Sequence, residues 1–372
     1  MASLQVMAVF GTRPDAIKMA PVVLTLRDDP RFEVRVVVTG QHREMLDQVL
    51  QLFRITPDED LDVMTPRQTL TQITTRALEG LDRVLQRSRP DIVLAQGDTT
   101  TTFVAALAAF YHKIPFGHVE AGLRTHDKYH PFPEEMNRRL TAPLADFHFA
   151  PTERARQNLL REAIPPERIW VTGNTGIDAV LWVAQQPFEP SEPALSRFWT
   201  HTGRRLLVTT HRRENWGEPM HQIALAVRDL LDTLPDLLVL LPMHRNPRVR
   251  EVVQGVLGDH PRALLTEPLD YAPFVHAMRH STLILTDSGG VQEEAPAFGK
   301  PILVLRTTTE RPEGIEAGTA KLVGTARERI RDEALHLLTD PDAYAQMARA
   351  VNPYGDGHAA ERIREILATH LA

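Results

Sequence analysis

The sequence predicts an α/β protein built from two doubly wound, parallel-sheet domains. Three observations carry that prediction. Short β-branched and apolar runs alternate with helical patterns along the chain. Those runs are continuously apolar rather than alternating, the pattern of strands covered on both faces. And 372 residues exceed one typical core but fit two of about 150 to 200 residues each.

The first series of strands is VMAVF near Val6, VRVVV near Val34, DIVLA near Asp91, KIPFGHV near Lys113, FHFA near Phe147 and RIWVT near Arg168. The second is RLLVTT near Leu206, LLVLLP near Leu237, ALLT near Ala263, TLILTD near Thr282 and PILVL near Pro301. Helices fill the gaps, so each series forms its own doubly wound half. Residues 185–193, QQPFEPSEP, are rich in Pro and polar residues and read as the connection, with the cut near residues 173 to 193. Near the end, Gly355, Asp356, Gly357 and Ala360 nominally match the dinucleotide pattern. No strand precedes them, so with Pro353 they read as a turn that starts the last helix.

Composition narrows the function. A hydrophobic content of 42% and a charged content of 24% are those of a globular protein. No apolar run approaches the roughly 20 residues of a membrane span. The N-terminus enters a strand at once with no secretory pattern, so a cytoplasmic protein is expected. Zero Cys excludes disulfides, thiolate metal sites and a Cys nucleophile. A net charge of −6 argues against a nucleic-acid-coating surface, so an anionic ligand must be met by local positive groups. No HxxxH, HExxH or EF-type loop occurs, and no metal is required.

Residues 283–295, LILTDSGGVQEEA, run from a strand through paired glycines into a helix. Ser288, Gly289 and Gly290 lack bulk, so their N–H groups can approach a diphosphate, with Glu294 a turn further on for a ribose diol. An ordinary strand-to-helix turn is the alternative. Ligands of open parallel sheets bind at the carboxyl ends of strands, where this chain places Arg13, Lys18, Asp98, Glu120, His211, His244 and Asp287, while Glu134 opens a helix after Pro133. Arg13 also reads as a turn anchor, Asp98 as a helix N-cap, Glu134 or Glu135 as a first-turn acid, and His211 as part of a polar helix start. Lys18 near a helix start is misplaced for the dipole. Glu120, directly after a buried strand, needs a partner or a job.

Together the motifs VFGTRPDAIKMAPV, TGQHREMLDQVL, QGDTTTT, GHVEAGLRT, PFPEEMNRRL, VTGNTGIDA, THRRENWGE, TDSGGVQEEAPAFGKP and TTERPE resemble the bacterial non-hydrolysing UDP-N-acetylglucosamine 2-epimerases, from about Val6 to Ile363. The resemblance implies a glycosyltransferase-B-type fold of two Rossmann-like domains, residues 1–172 with 355–372 and residues 173–354. A nucleotide-sugar cleft would lie between them, and the last helix would cross back. It implies a homodimer that needs no cofactor and handles UDP-N-acetylglucosamine, UDP-N-acetylmannosamine and UDP, with no nucleic-acid or membrane partner. The reaction would be anti elimination of UDP to 2-acetamidoglucal and re-addition. Asp98, Glu120 and Glu134 match the family's catalytic carboxylates, with the carbon 2 base unassigned, and crowding would push their pKa values apart. Lys18, His211 and Arg13 match positive groups around the diphosphate and sugar. Ser288, Gly289 and Gly290 match the phosphate turn, Glu294 the ribose contact and Arg311 a further cleft residue. Gln41, His42 and Arg67 match an allosteric substrate site, with Glu44 where Gln is common, and His126 and His130 depart from the pattern around the Glu134 loop. The competing readings are a hydrolysing epimerase, a glycosyltransferase and a non-catalytic nucleotide-sugar sensor.

Overall fold

The computed structural model describes residues 3–40, 43–65 and 67–371. The chain forms two compact units, residues 1–179 with 355–372 and residues 180–354. It passes from the first to the second inside the helix Thr175–Gln185.

The first unit carries strands β1 (Leu4–Phe10), β2 (Phe32–Val38), β3 (Glu59–Asp60), β4 (Ile92–Gln96), β5 (Phe116–Val119), β6 (Phe147–Ala150) and β7 (Ile169–Val171). Their order is β3-β2-β1-β4-β5-β6-β7 and every pairing is parallel, with Val6 opposite both Val34 and Ile92. The second unit carries β8 (Arg205–Thr209), β9 (Leu238–Pro242), β10 (Ala263–Thr266), β11 (Leu283–Thr286), β12 (Ile302–Val304) and β13 (Ala320–Leu322), in the order β10-β9-β8-β11-β12-β13, again all parallel.

Apolar burial on both faces explains this architecture. Every residue of β4, β5, β6 and β11 is buried, because parallel crossovers lay helices over both sides of the sheet. Two strands escape the sequence reading. β3 has two residues and β13 three, both at sheet edges with partly exposed positions, too short to show a periodicity.

Caps define the helices that leave the strand ends. Thr69 accepts the Gln72 N–H at 3.2 Å while the Gln72 side chain accepts the Thr69 N–H at 2.9 Å, a reciprocal cap for Leu70–Ser88. Residues 353–357 turn into the last helix, Ala359–His370, which packs on Arg13–Arg27. Asp178 accepts the Ala360 N–H at 2.8 Å and Arg362 donates to the Thr172 carbonyl at 3.0 Å, anchoring that helix to the first unit. Among the described residues no helix is long and apolar enough to cross a membrane.

Candidate active site

In each sheet the strand order reverses once, between β1 and β4 and between β8 and β11. Carboxyl ends at such reversals are where doubly wound sheets bind ligands. Gly11–Arg13 and Gly97–Asp98 follow β1 and β4, and His211 and Asp287–Ser288 follow β8 and β11.

In the first unit, the turn after β1 threads between two hydroxyls. A Cβ on Gly11 would fall 2.0 Å from Thr39 Oγ1 and 2.7 Å from Thr101 Oγ1, so only glycine passes. Asp15 then reaches back to accept the N–H groups of Gly11 and Thr12, each at 3.1 Å. Its Oδ2 also takes the Thr99 hydroxyl at 3.5 Å, tying this turn to the one after β4. Burial raises the Asp15 carboxyl to about 7 against those N–H groups, with the Asp98 charge adding to the rise. The spacing of Thr12 and Asp15 is a capping signature that the sequence reading passed over. Arg13 opens the helix Arg13–Arg27, half-buried and without an acidic partner among the described residues.

Asp98 is not the cap of its helix. Thr99 is, accepting the Thr102 N–H at 3.3 Å. The Asp98 carboxylate instead receives Arg138 at 3.2 Å, and its backbone carbonyl receives the Asn137 side-chain amide at 2.9 Å. Arg138 is shared with Glu135, which is wholly buried and accepts the Thr125 and His126 N–H groups at 3.0 and 3.1 Å. Burial pushes Glu135 up, but the Thr125 N–H, Arg138 and the His126 N–H outweigh it and hold the carboxyl below its ordinary value. Of the two adjacent acids, Glu135 therefore braces the loop. Glu134, first residue of the helix Glu134–Thr141, stays half-exposed with its carboxylate unpartnered among the described residues.

Lys18 lies in the second turn of its helix rather than at the start, and its ammonium pairs with Glu120. Glu120 follows β5 with φ of +63°, in the left-handed region that costs a non-glycine residue about 1 kcal/mol or more. His118, two residues earlier, is fully buried and donates its Nε2–H to the Gly97 carbonyl at 2.7 Å. No sequence signal singled it out, because its partner is a backbone atom on the neighbouring strand's exit.

In the second unit, Asp287 organises the edge. It is fully buried and accepts the His211 N–H at 3.0 Å, the Arg212 N–H at 3.0 Å and the Asn215 side-chain amide at 2.9 Å, with the His211 Nδ1 also at 3.0 Å. Burial raises its pKa, but the imidazole and the two backbone N–H groups prevail and hold it below the ordinary carboxylate range. Ser288 caps the helix Gly289–Glu294 through the Val291 N–H. Among the described residues beyond their own turn, none crowds the two glycines: the nearest atoms to an added Cβ are Arg311 Cζ at 3.8 Å for Gly289 and Ser288 Oγ at 3.9 Å for Gly290. Arg311 is held there by an ion pair with the buried Glu293. Glu294 ends the helix, half-exposed. His244 follows β9, where its Nδ1 accepts the Asn246 N–H at 3.1 Å.

Arg67 is exposed with φ of +61°; Gln41 and His42 lie outside the described residues. Among the described residues no group of three His, Asp or Glu side chains could hold a metal ion.

Two doubly wound units, each with reactive side chains at its strand reversal, define a Rossmann-like two-domain enzyme of glycosyltransferase-B type. The sequence model of the UDP-N-acetylglucosamine 2-epimerase family matches residues 24–368, and the chain belongs to that family. It is 55% identical over 369 residues to the UDP-N-acetylglucosamine 2-epimerase of Escherichia coli K12, covering 98% of each chain. It is 54% identical over 370 residues to that of Bacillus subtilis, covering 100% of this chain and 96% of the relative. The crystal structure of UDP-GlcNAc 2-epimerase from Neisseria meningitidis bound to UDP-GlcNAc superposes with a TM-score of 0.85 at 48% identity, covering 99% of this chain and all of that one.

Proposed function

We propose that the chain interconverts UDP-N-acetylglucosamine and UDP-N-acetylmannosamine without hydrolysing either. The first unit carries the proton-handling groups and the second carries the UDP-binding turn. The observation that carries this reading is the carboxylate set on the first unit: Glu120 against Lys18, Asp98 against Arg138, and Glu134 with no partner among the described residues. Carbon 2 of the sugar is not next to a carbonyl, so its proton is not acidic enough for simple abstraction and return. Elimination avoids that barrier. A carboxylate takes the carbon 2 proton, the C–H electrons form the C1–C2 double bond of 2-acetamidoglucal, and the C1–O bond breaks with its pair leaving on UDP. Re-addition of the phosphate to carbon 1, with a proton delivered to the other face of carbon 2, gives the epimer.

Asp98, Glu120 and Glu134 are the groups suited to take the carbon 2 proton and to return one. On the second unit, charge growing on the leaving diphosphate is met by His211 oriented through Asp287, by Arg311 and by the Ser288–Gly290 N–H groups. Glu294 takes the ribose. The ligand of the Neisseria relative supports this choice of substrate. The enzyme works as a cytoplasmic homodimer, and a second UDP-N-acetylglucosamine at Gln41, His42 and Arg67 activates it; rate curves sigmoidal in that sugar nucleotide support the activation and hyperbolic ones oppose it.

Phosphorus NMR of a completed reaction tests the outcome. A stable mixture of two UDP-sugars is expected. Stoichiometric free UDP in place of the UDP-sugars would make the enzyme a hydrolysing one.

A further inference from the structure

Three consecutive backbone carbonyls at the exit of β4 are each held by a side chain from a different element. The Thr102 hydroxyl donates to Gln96 O at 2.6 Å, His118 Nε2 to Gly97 O at 2.7 Å and Asn137 Nδ2 to Asp98 O at 2.9 Å. Thr102 comes from the helix Thr100–His112, His118 from β5 and Asn137 from the helix Glu134–Thr141. Such a turn would ordinarily leave its carbonyls to water. The Gly97 N–H is taken as well, by Val119 O at 2.9 Å. Gly97 has φ of +79°, and an added Cβ would meet no atom of the described residues within 4 Å, so the turn demands glycine by conformation and not by crowding.

His118 occupies a singular place in this arrangement. It sits on β5 two residues before Glu120, which follows the strand, and bonds the residue just before Asp98, so one side chain bridges the backbones that lead to both acids. A neutral imidazole has one N–H. With that proton on Nε2, Nδ1 is a bare acceptor, and it is buried with no partner among the described residues. An apolar side chain would fill this interior position but leave the buried Gly97 carbonyl without its donor, so the bond and not the packing accounts for a histidine here. Burial also drives the imidazole down to about 3, which keeps it neutral and removes it from proton transfer at working pH. What remains is its donor.

We propose that His118 is a positioning residue, whose Nε2–H pins the Gly97 carbonyl and thereby fixes the Asp98 carboxylate relative to Glu120. The inference rests on the reading of Asp98 and Glu120 as proton-handling groups. Misplacement of a reacting group by about 1 Å can cost on the order of 100-fold in rate.

The test is steady-state epimerisation by His118→Phe, His118→Gln and His118→Asn, with and without Asp98→Asn, alongside thermal midpoints. Gln extends an amide donor to the Nε2 position and Asn stops short at Nδ1, so the pair separates donor placement from folding even if the Phe variant misfolds. The expected result is a fall in kcat of at least ~10-fold for Phe and Asn with KM changed by less than ~3-fold, and recovery of most of that loss by Gln. In the Asp98→Asn background the Phe substitution should cost less than ~3-fold, because the two act as a unit. Equal loss in Gln and Asn, a kcat near wild type in Phe, or a full additional loss on top of Asp98→Asn overturns the proposal. Near-normal turnover by Asp98→Asn alone instead overturns the underlying reading of Asp98.

Discussion

Replacing Asp287 by Ala removes the acceptor of three amide N–H donors at once, and the partner of the His211 imidazole. The His211 and Arg212 N–H groups and the Asn215 amide approach it at 2.9 to 3.0 Å, and the carboxylate is fully buried. Leaving a buried donor unmet costs about 1 to 3 kcal/mol. The Asn215 amide keeps a second acceptor in the Leu305 carbonyl at 3.2 Å, and the half-exposed His211 side chain admits water near its own N–H, so the sum falls below three full penalties. A loss of ~3 to 5 kcal/mol follows. Asp287→Asn keeps one acceptor oxygen but presents an NH2 to the remaining donors, for a loss of ~2 kcal/mol. Urea unfolding followed by far-ultraviolet circular dichroism measures both. Activity adds an independent reading: without Asp287 to orient its Nδ1, His211 swings free, so kcat should fall ~10-fold or more even in the folded Asn variant. A loss below ~1 kcal/mol for Ala, or a normal kcat for Asn, would refute this reasoning.

Asp98→Asn and Glu120→Gln should each lower kcat at least ~100-fold while UDP affinity, read by calorimetry, stays near wild type; near-normal turnover in both removes them from the mechanism. Gly290→Val should fold normally, since its nearest protein neighbour is Ser288 Oγ at 3.9 Å, yet weaken UDP by ~10-fold or more through loss of room for the phosphate; unchanged UDP affinity contradicts the phosphate role. Asp15 gives a pH signature. Its folded pKa of about 7 lies above the ordinary 3.8, so the native state holds a proton that the unfolded chain has lost. The group's contribution is full below about pH 4, declines as pH rises to about 7 and is constant above, a change of at most ~4 kcal/mol. Wild-type stability minus that of Asp15→Asn should show this fall across pH 4 to 7, and parallel curves would rule it out.

Much of this molecule is legible in its residues, and the exceptions have physical causes. Buried strands such as the LLVLL run of residues 237–241 announce themselves because both faces must be apolar, whereas β3 and β13 are edge fragments of two and three residues. Strand-end acids and cations stand out because ionised groups rarely adjoin buried runs without a purpose. The division of labour between Glu134 and Glu135 was not readable: adjacent helix positions point about 100° apart, and only the return of the 125–126 backbone decides which is buried. The same holds for Asp287 and His118. Their partners lie 72 to 76 and 21 residues away and meet them only through sheet register, with Thr209 against Thr286 and Gln96 against Val119. Nor does any local pattern show that the carboxyl raised to about 7 is Asp15, since desolvation is a property of the finished fold.

Proton NMR of UDP-N-acetylglucosamine turned over in heavy water tests the central claim most directly. Breaking and remaking the carbon 2 C–H bond predicts that the H2 resonances of both UDP-sugars vanish as epimerisation proceeds, with deuterium in their place. Full inversion with the original hydrogen retained at carbon 2 would contradict the elimination account.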